Sequence, residues 1–168
     1  MEIVYPHDEY IDWLRHADYN VYKNQGERPY IELPKFAGHD YIGPLSKSNY
    51  NLKRSLRPGV LPLDGGKLGY LVLMAQIPII GQQNCDPLDW DLVDDDEYEL
   101  LSRQFDWFAK DKNINRVRDK TFAFREQYRR KQLPIETKRR SVNFGVVENQ
   151  AKLFPKKLLT NDTMQRIV

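Results

Sequence analysis

One cysteine, Cys85, stands in 168 residues, so the chain can close no internal disulfide and has no second thiol with which to hold zinc. Cys85 is therefore read as a structural residue. No apolar stretch nears the ~20 residues that cross a bilayer. Met1-Glu2-Ile3-Val4-Tyr5-Pro6 has neither the charged start nor the apolar run of a signal peptide. The expectation is a cytoplasmic protein with no membrane partner. Histidine is scarce as well: His7, His16 and His39 belong to no ligand motif, so neither a metal nor a cofactor is expected. His7 and His16, nine residues apart, would fall on opposite faces of one helix, which excludes a paired-histidine acid/base site. There is no Gly-x-Ser-x-Gly elbow, and Cys85 has no identifiable base, so a nucleophilic triad is missing too.

What is present supports a core. Hydrophobic residues make up 40% and aromatics 12%, enough to offset the conformational entropy of ordering the chain. One compact domain is expected over residues 1–155, with 156–168 a flexible C-terminal tail. Ile3-Val4-Tyr5 reads as a short strand, followed after Pro6 by a helix beginning at Asp8-Glu9 and carrying Tyr10, Trp13, Leu14 and Ala17. Residues 29–33 and 39–42 read as an antiparallel pair joined through Pro34 to Gly38. Ser46 to Lys67, punctuated by Pro58-Gly59 and Gly65-Gly66, reads as a long functional loop. Leu68 to Met74 and Ile77 to Ile80 read as central strands. Tyr98, Leu101, Phe105 and Phe108 share helical spacing, as do Val117, Thr121, Phe124 and Tyr128, so each set should lay an apolar stripe on the sheet. Pro134 ends the second of these helices, and Asn143 caps a last one bearing Phe144, Val147, Ala151 and Phe154. The class is α+β, with a mainly antiparallel sheet.

The net charge of +2 is small, but its distribution is uneven. Asp86 to Glu99 holds eight acids and no base, a stretch read as a solvated acidic loop because it lacks the glycine and terminal Glu of a calcium loop. Arg103 to Arg140 holds thirteen bases against five acids, and Lys47 to Lys67 five bases against Asp64 alone. Such surfaces either attract polyphosphates by Coulomb energy and counterion release or are simply solvated helix faces and loops.

Tyr41-Ile42-Gly43-Pro44-Leu45-Ser46-Lys47-Ser48 resembles the signature of the ToxN/AbiQ endoribonucleases, toxins of type III toxin–antitoxin systems, in which a strand leads into Pro-Leu-Thr/Ser-Ser and a nearby lysine. Tyr10-Ile11-Asp12-Trp13-Leu14, Arg28-Pro29-Tyr30-Ile31, Leu68-Gly69-Tyr70, Met74 to Ile80, and Asn143-Phe144 are similar to further landmarks of that family, in the same order. The resemblance implies a single domain with a strongly bent, mainly antiparallel sheet flanked by helices. It also implies metal-independent cleavage in which the RNA 2′-hydroxyl attacks the adjacent phosphorus, leaving a 2′,3′-cyclic phosphate and a 5′-hydroxyl. The implied partners are an RNA substrate and an RNA antitoxin of tandem-repeat pseudoknot units that the toxin processes and that inhibits it. Toxin and RNA units would close into a head-to-tail ring, with no direct protein homodimer, and the implied role is phage defence.

Such chemistry needs a group to take the 2′-proton, a donor to the leaving oxygen and fixed charge for the phosphorane. Ser46 and Ser48 can orient phosphate oxygens, and a lysine can supply charge or, once deprotonated, a base. The family lysine falls where this chain has Asn49. Its role passes either to Lys47 or to Lys53 reaching back across the loop, or else these lysines only contact phosphates. On a regular strand Ser46 and Ser48 would share a face that excludes Lys47. Arg54 and Arg57 would favour loss of a lysine proton by like-charge repulsion, and with Asn49 they are candidate RNA contacts. Arg103, Arg116 and Arg118, with Arg129 and Arg130, are candidates for holding the antitoxin backbone. Tyr30 is either a stacking residue of the RNA groove or a buried residue of the sheet. Two other functions remain: a non-catalytic RNA-binding module, for which Asn49 argues, and a protein-inhibited toxin of related fold.

Overall fold

The computed structural model describes residues 1–23, 28–47 and 58–155, and seven short strands form its centre. These are β1 (Ile3–Pro6), β2 (Tyr30–Phe36), β3 (His39–Ser46), β4 (Val60–Pro62), β5 (Tyr70–Val72), β6 (Ile77–Ile79) and β7 (Cys85–Pro87). Every pairing is antiparallel, in the open order β4-β5-β3-β2-β1-β7, with β6 also on β3. Around the sheet lie α1 (Asp8–Ala17), α2 (Asp95–Phe108), α3 (Asp111–Arg129), α4 (Ile135–Arg140) and α5 (Phe144–Lys152). The α+β class is as expected. The expected tail, 156–168, lies outside the described residues.

β3 organises the sheet. One edge pairs with β2 from Tyr30↔Pro44 to Phe36↔His39, through a two-residue turn in which Ala37 and Gly38 both have positive φ. That is the twist a tight hairpin requires. Pro34 lies within β2, at a register shift between Leu33 and Phe36, and not in the connection where it was expected. The other edge of β3 is divided: Asp40 to Ile42 pair with β6, and Leu45 to Ser46 with β5. Pro44 falls in the gap. Leu45 N–H donates towards β2, to the Pro29 carbonyl at 2.9 Å, so the alternate residue Pro44 turns its nitrogen to the divided edge, where no ladder donor is missed.

The long loop expected over Ser46 to Lys67 is shorter in the structure. Val60 to Pro62 pair with β5, and Leu63 to Gly66 form a tight 3-10 turn whose Leu63 is fully buried. The apolar run Val60-Leu61-Pro62-Leu63 supplies that edge strand. Leu68 to Met74 is not one strand either, because β5 stops at Val72 and a 3-10 turn follows over Leu73–Ala75. β7 and α4 were not foreseen.

The acidic block has a structural task. Asp94 caps α2, its side chain accepting from Glu97 N–H at 2.8 Å, and Asp95, Asp96 and Glu97 occupy the first turn, where negative charge meets the positive end of the helix dipole. The buried stripe of α2 is Leu101, Gln104, Trp107 and Phe108. Tyr98 and Phe105, expected in the core, are partly exposed and instead stack edge-on against Trp90.

A buried arginine ties the helices to the sheet. Arg125 of α3, 5% exposed, donates to Glu148 of α5 at 2.8 Å and to the Tyr41 hydroxyl of β3 at 3.0 Å, while Tyr41 also donates to Glu148. Its guanidinium carbon lies 3.8 Å from the Phe144 ring centroid, 4.5 Å from that of Phe36 and 4.6 Å from that of Tyr41. Aromatic faces and a carboxylate together offset the cost of burying the charge. At the other side, Trp13 Nε1 donates to the Gln150 carbonyl and Gln150 Nε2 to the Trp13 carbonyl, locking α1 to α5.

Candidate functional site

The last residues of β3 open onto a groove of about 970 Å³. Gly43, Pro44 and Leu45 are buried, Ser46 is half-buried and Lys47, just past the strand end, is exposed. The strict alternation that would separate Ser46 from Lys47 therefore ends with the strand, and both line the groove. The Ser46 hydroxyl is 3.4 Å from the Tyr70 carbonyl, too long to hold it firmly.

Gly69 is what lets β3 end here. Its φ is +84°, and a Cβ placed on it would lie 1.9 Å from the Ser46 carbonyl oxygen. Only glycine permits both the left-handed conformation and so close a backbone approach.

The groove is lined by groups of both charges. Lys47, with Lys23 and Arg28 from the segments flanking α1 and β2, supplies cations. Asp86 and Asp89 come from β7 and the residues after it, and Asp94, Glu97, Leu100, Leu101 and Gln104 from α2 and its N-cap. Tyr5 also lines it, and burial, reinforced by the Glu97 and Asp94 carboxylates, raises its hydroxyl pKa, so Tyr5 is a neutral O–H donor. At the rim His7 Nε2 is 3.1 Å from Asp86 Oδ2. Lys23 and Arg28 also line a second depression of about 500 Å³, with Arg15 and Arg140 on its walls. A basic track thus runs from Lys47 through Lys23 and Arg28 to Arg140. Among the described residues, no three His, Cys, Asp or Glu side chains gather closely enough to hold a metal ion. No described helix is long and apolar enough to cross a membrane.

Of the residues singled out from the sequence, the structure brings Ser46 and Lys47 together in this groove. Ser48, Asn49, Lys53, Arg54 and Arg57 lie outside the described residues. Tyr30 corrects one expectation: it is fully buried in the sheet, with no exposed ring face on which a base can stack. Its burial also pushes the hydroxyl pKa upward, with Arg28 pulling the other way. Arg103 on α2 reaches towards Glu99 at 3.8 Å and does not line the groove. Arg116 and Arg118, exposed on α3, do not line it either, and Arg118 sits 3.8 Å from Asp119. Lys23, Arg28 and Arg140 were not singled out as site residues. Arg28, at the head of an inner strand, carried the one usable signal.

Fold and groove define a class: a small α+β protein whose central strand delivers a hydroxyl and a lysine into a charged cleft. No family model matches the chain. Endoribonuclease ToxN of Bacillus thuringiensis subsp. kurstaki is 34% identical to it over 120 residues, 67% of this chain and 60% of that protein's length. The match therefore spans less than two thirds of the relative. Among solved structures, one from work on a processed non-coding RNA that regulates a bacterial antiviral system superimposes with a TM-score of 0.76 at 20% identity, covering 93% of this chain and all of the other. AbiQ, described as a lactococcal anti-phage endoribonuclease of the type III toxin–antitoxin system, gives 0.72 at 22% identity, covering 91% and 96%. A third, from work on selective toxin inhibition by a non-coding RNA pseudoknot, gives 0.68 at 24% identity, covering 90% and 95%. The chain has the fold of these three structures and is similar in sequence to ToxN.

Proposed function

We propose that this protein is an endoribonuclease toxin of a type III toxin–antitoxin system. It cuts RNA without a metal ion, by attack of the 2′-hydroxyl on the adjacent phosphorus. The observation that carries the reading is the placement of Ser46 and Lys47 in one groove at the end of β3, continuous with a basic track. Similarity in sequence to one endoribonuclease and in fold to another adds to it.

In this reading the phosphate backbone follows Lys47, Lys23 and Arg28, whose charge offsets that of the phosphates. The scissile phosphate sits at the strand end. Lys47 either stabilises the phosphorane as an ammonium or, deprotonated, takes the 2′-proton, and the Ser46 hydroxyl donates to a non-bridging oxygen. Protonated Tyr5 is a further donor on the same groove. The transesterification balances with no added reactant: the 2′-oxygen to phosphorus bond forms, the bond to the 5′-oxygen breaks, and that oxygen acquires a proton. The antitoxin is a repeat-derived RNA pseudoknot that fills the groove, and the protein and RNA units assemble in a head-to-tail ring with no direct protein dimer, serving phage defence.

The test is incubation of purified protein with single-stranded RNA in EDTA, with the ends of the products identified. Chelator-resistant cleavage to 2′,3′-cyclic phosphate and 5′-hydroxyl ends is expected, with a loss of about a hundredfold or more in Lys47→Ala. Cleavage abolished by EDTA refutes the metal-independent reaction. Tight RNA binding without cleavage would make the protein a binding module.

A further inference from the structure

The wall of the groove built by α2 offers hydrogen-bond acceptors where an RNA-binding surface usually offers cations. Glu97 and Gln104 both line it, seven residues apart, which on a helix is two turns or about 10.5 Å along one face. Between them on the helix lie the half-buried Leu100 and the buried Leu101. Gln104 is 1% exposed, and its Nε2 donates to the Leu68 carbonyl at 2.6 Å. A carbonyl only accepts, so the amide orientation is fixed by that bond. Gln104 Oε1 is thereby left as a buried acceptor with no hydrogen-bond partner among the described residues. A buried acceptor without a donor is costly, and in a residue that lines a groove it is a place for an N–H or O–H from a ligand.

A phosphate is itself an acidic acceptor and is repelled by Glu97 and Asp94. The donors that RNA carries are the 2′-hydroxyls, the same on every nucleotide, and the amino and imino groups of the bases, which differ from one base to another. Carboxylates and side-chain amide oxygens are the groups that accept from them, as when Glu or Asp accepts from cytosine N4. The partly exposed Leu100, beside these acceptors, offers apolar surface to a base.

Resting on the ribonuclease reading above, we propose that this wall reads bases: Glu97 and Gln104 Oε1 select nucleotides that present an exocyclic amino group, while Lys47, Lys23 and Arg28 hold the phosphates. The cations draw the phosphates and the carboxylates repel them, so that the bases are what meets α2.

The experiment keeps the protein unchanged and alters the RNA. A cleaved oligonucleotide is resynthesised with single nucleotides replaced by analogues lacking the amino group: purine riboside for adenosine, inosine for guanosine, zebularine for cytidine. At one or more positions beside the cut, wild-type kcat/KM should fall about tenfold or more. Glu97→Gln and Gln104→Met should shrink that ratio, whereas Lys47→Ala should lower cleavage of parent and analogue alike and leave the ratio intact. Equal cleavage of every analogue overturns the proposal while leaving the ribonuclease reading standing. If no RNA is cut, the same ratios are read from binding by fluorescence anisotropy. Discrimination there sustains the acceptor wall without the nuclease, and binding without discrimination overturns it. Absence of any RNA binding overturns both.

Discussion

Replacing Gly69 by alanine tests how the fold holds the end of β3. The substitution costs twice over. An L-residue held at φ +84° is strained by roughly 1–2 kcal/mol, and the new Cβ meets the Ser46 carbonyl oxygen at 1.9 Å, more than an ångström inside any tolerated contact. That neighbour is backbone, so no rotamer change relieves it. Either the turn from Leu63 to Gly69, closed by Leu63 N–H to the Gly69 carbonyl at 3.0 Å, opens, or the Ser46 end of β3 moves. Together the terms amount to about 2–4 kcal/mol. Displacing a reacting group by about an ångström costs on the order of a hundredfold in rate. Urea denaturation of Gly69→Ala should give the stability loss, and RNA cleavage by the folded fraction should fall about a hundredfold. A variant with wild-type midpoint and wild-type cleavage would refute the claim that this contact positions Ser46 and Lys47.

Four other outcomes follow from the packing. Glu148→Ala leaves the Arg125 guanidinium buried without its carboxylate, and should cost about 3–5 kcal/mol by chemical denaturation. Glu148 is also a source of acid lability. Burial raises its carboxyl pKa, but hydrogen bonds from Tyr41 and Arg125 and the Arg125 charge lower it further, so the folded value lies below the ordinary one. Its stabilisation is therefore complete above the usual glutamate range near ~4.3 and is lost as pH falls through the folded value. The stability gap between wild type and Glu148→Gln should narrow between about pH 5 and about pH 3, and a constant gap would contradict this. Asp18, whose carboxylate accepts from the N–H groups of Asn20 and Asn143, should cost about 2–3 kcal/mol when replaced by alanine, measured by thermal unfolding. Cys85 is buried, and burial with the Glu32 and Asp86 charges pushes its thiol up to about 11. Only about a thousandth of it is thiolate at pH 8, so iodoacetamide should label it far more slowly in the native protein than in urea.

The parts of this fold that could be read beforehand are those whose pattern is local. α1 shows its buried Tyr10, Ile11 and Leu14 at helical spacing, and the β2–β3 hairpin announces itself by two apolar runs and a turn glycine. β4 and β7, three residues each and each containing proline, have no periodicity to detect, and exist because a neighbouring strand receives them, whereas β6, equally short, showed in its apolar run. The stripe on α2 was placed about a quarter-turn out because Trp90, distant in spacing but close in space, covers Tyr98 and Phe105. The same distinction governs the groove. Ser46 and Lys47 are legible as neighbours in one motif. Lys23, Arg28 and Arg140 meet only through the tertiary fold, and the acids that looked like a solvated loop turn out both to cap α2 and to line the groove. Tyr30 alternates to the buried face, which sequence spacing left undecided.

Cleavage through the RNA's own 2′-hydroxyl is tested most directly with one modified atom. An RNA that the protein cuts at a mapped position is resynthesised with a single 2′-deoxynucleotide on the 5′ side of that bond, and both are followed in single turnover. The expected result is loss of cleavage at that bond with binding retained. Cleavage there at the parental rate would show that water or a protein group attacks the phosphorus, and would contradict the mechanism proposed for Ser46 and Lys47.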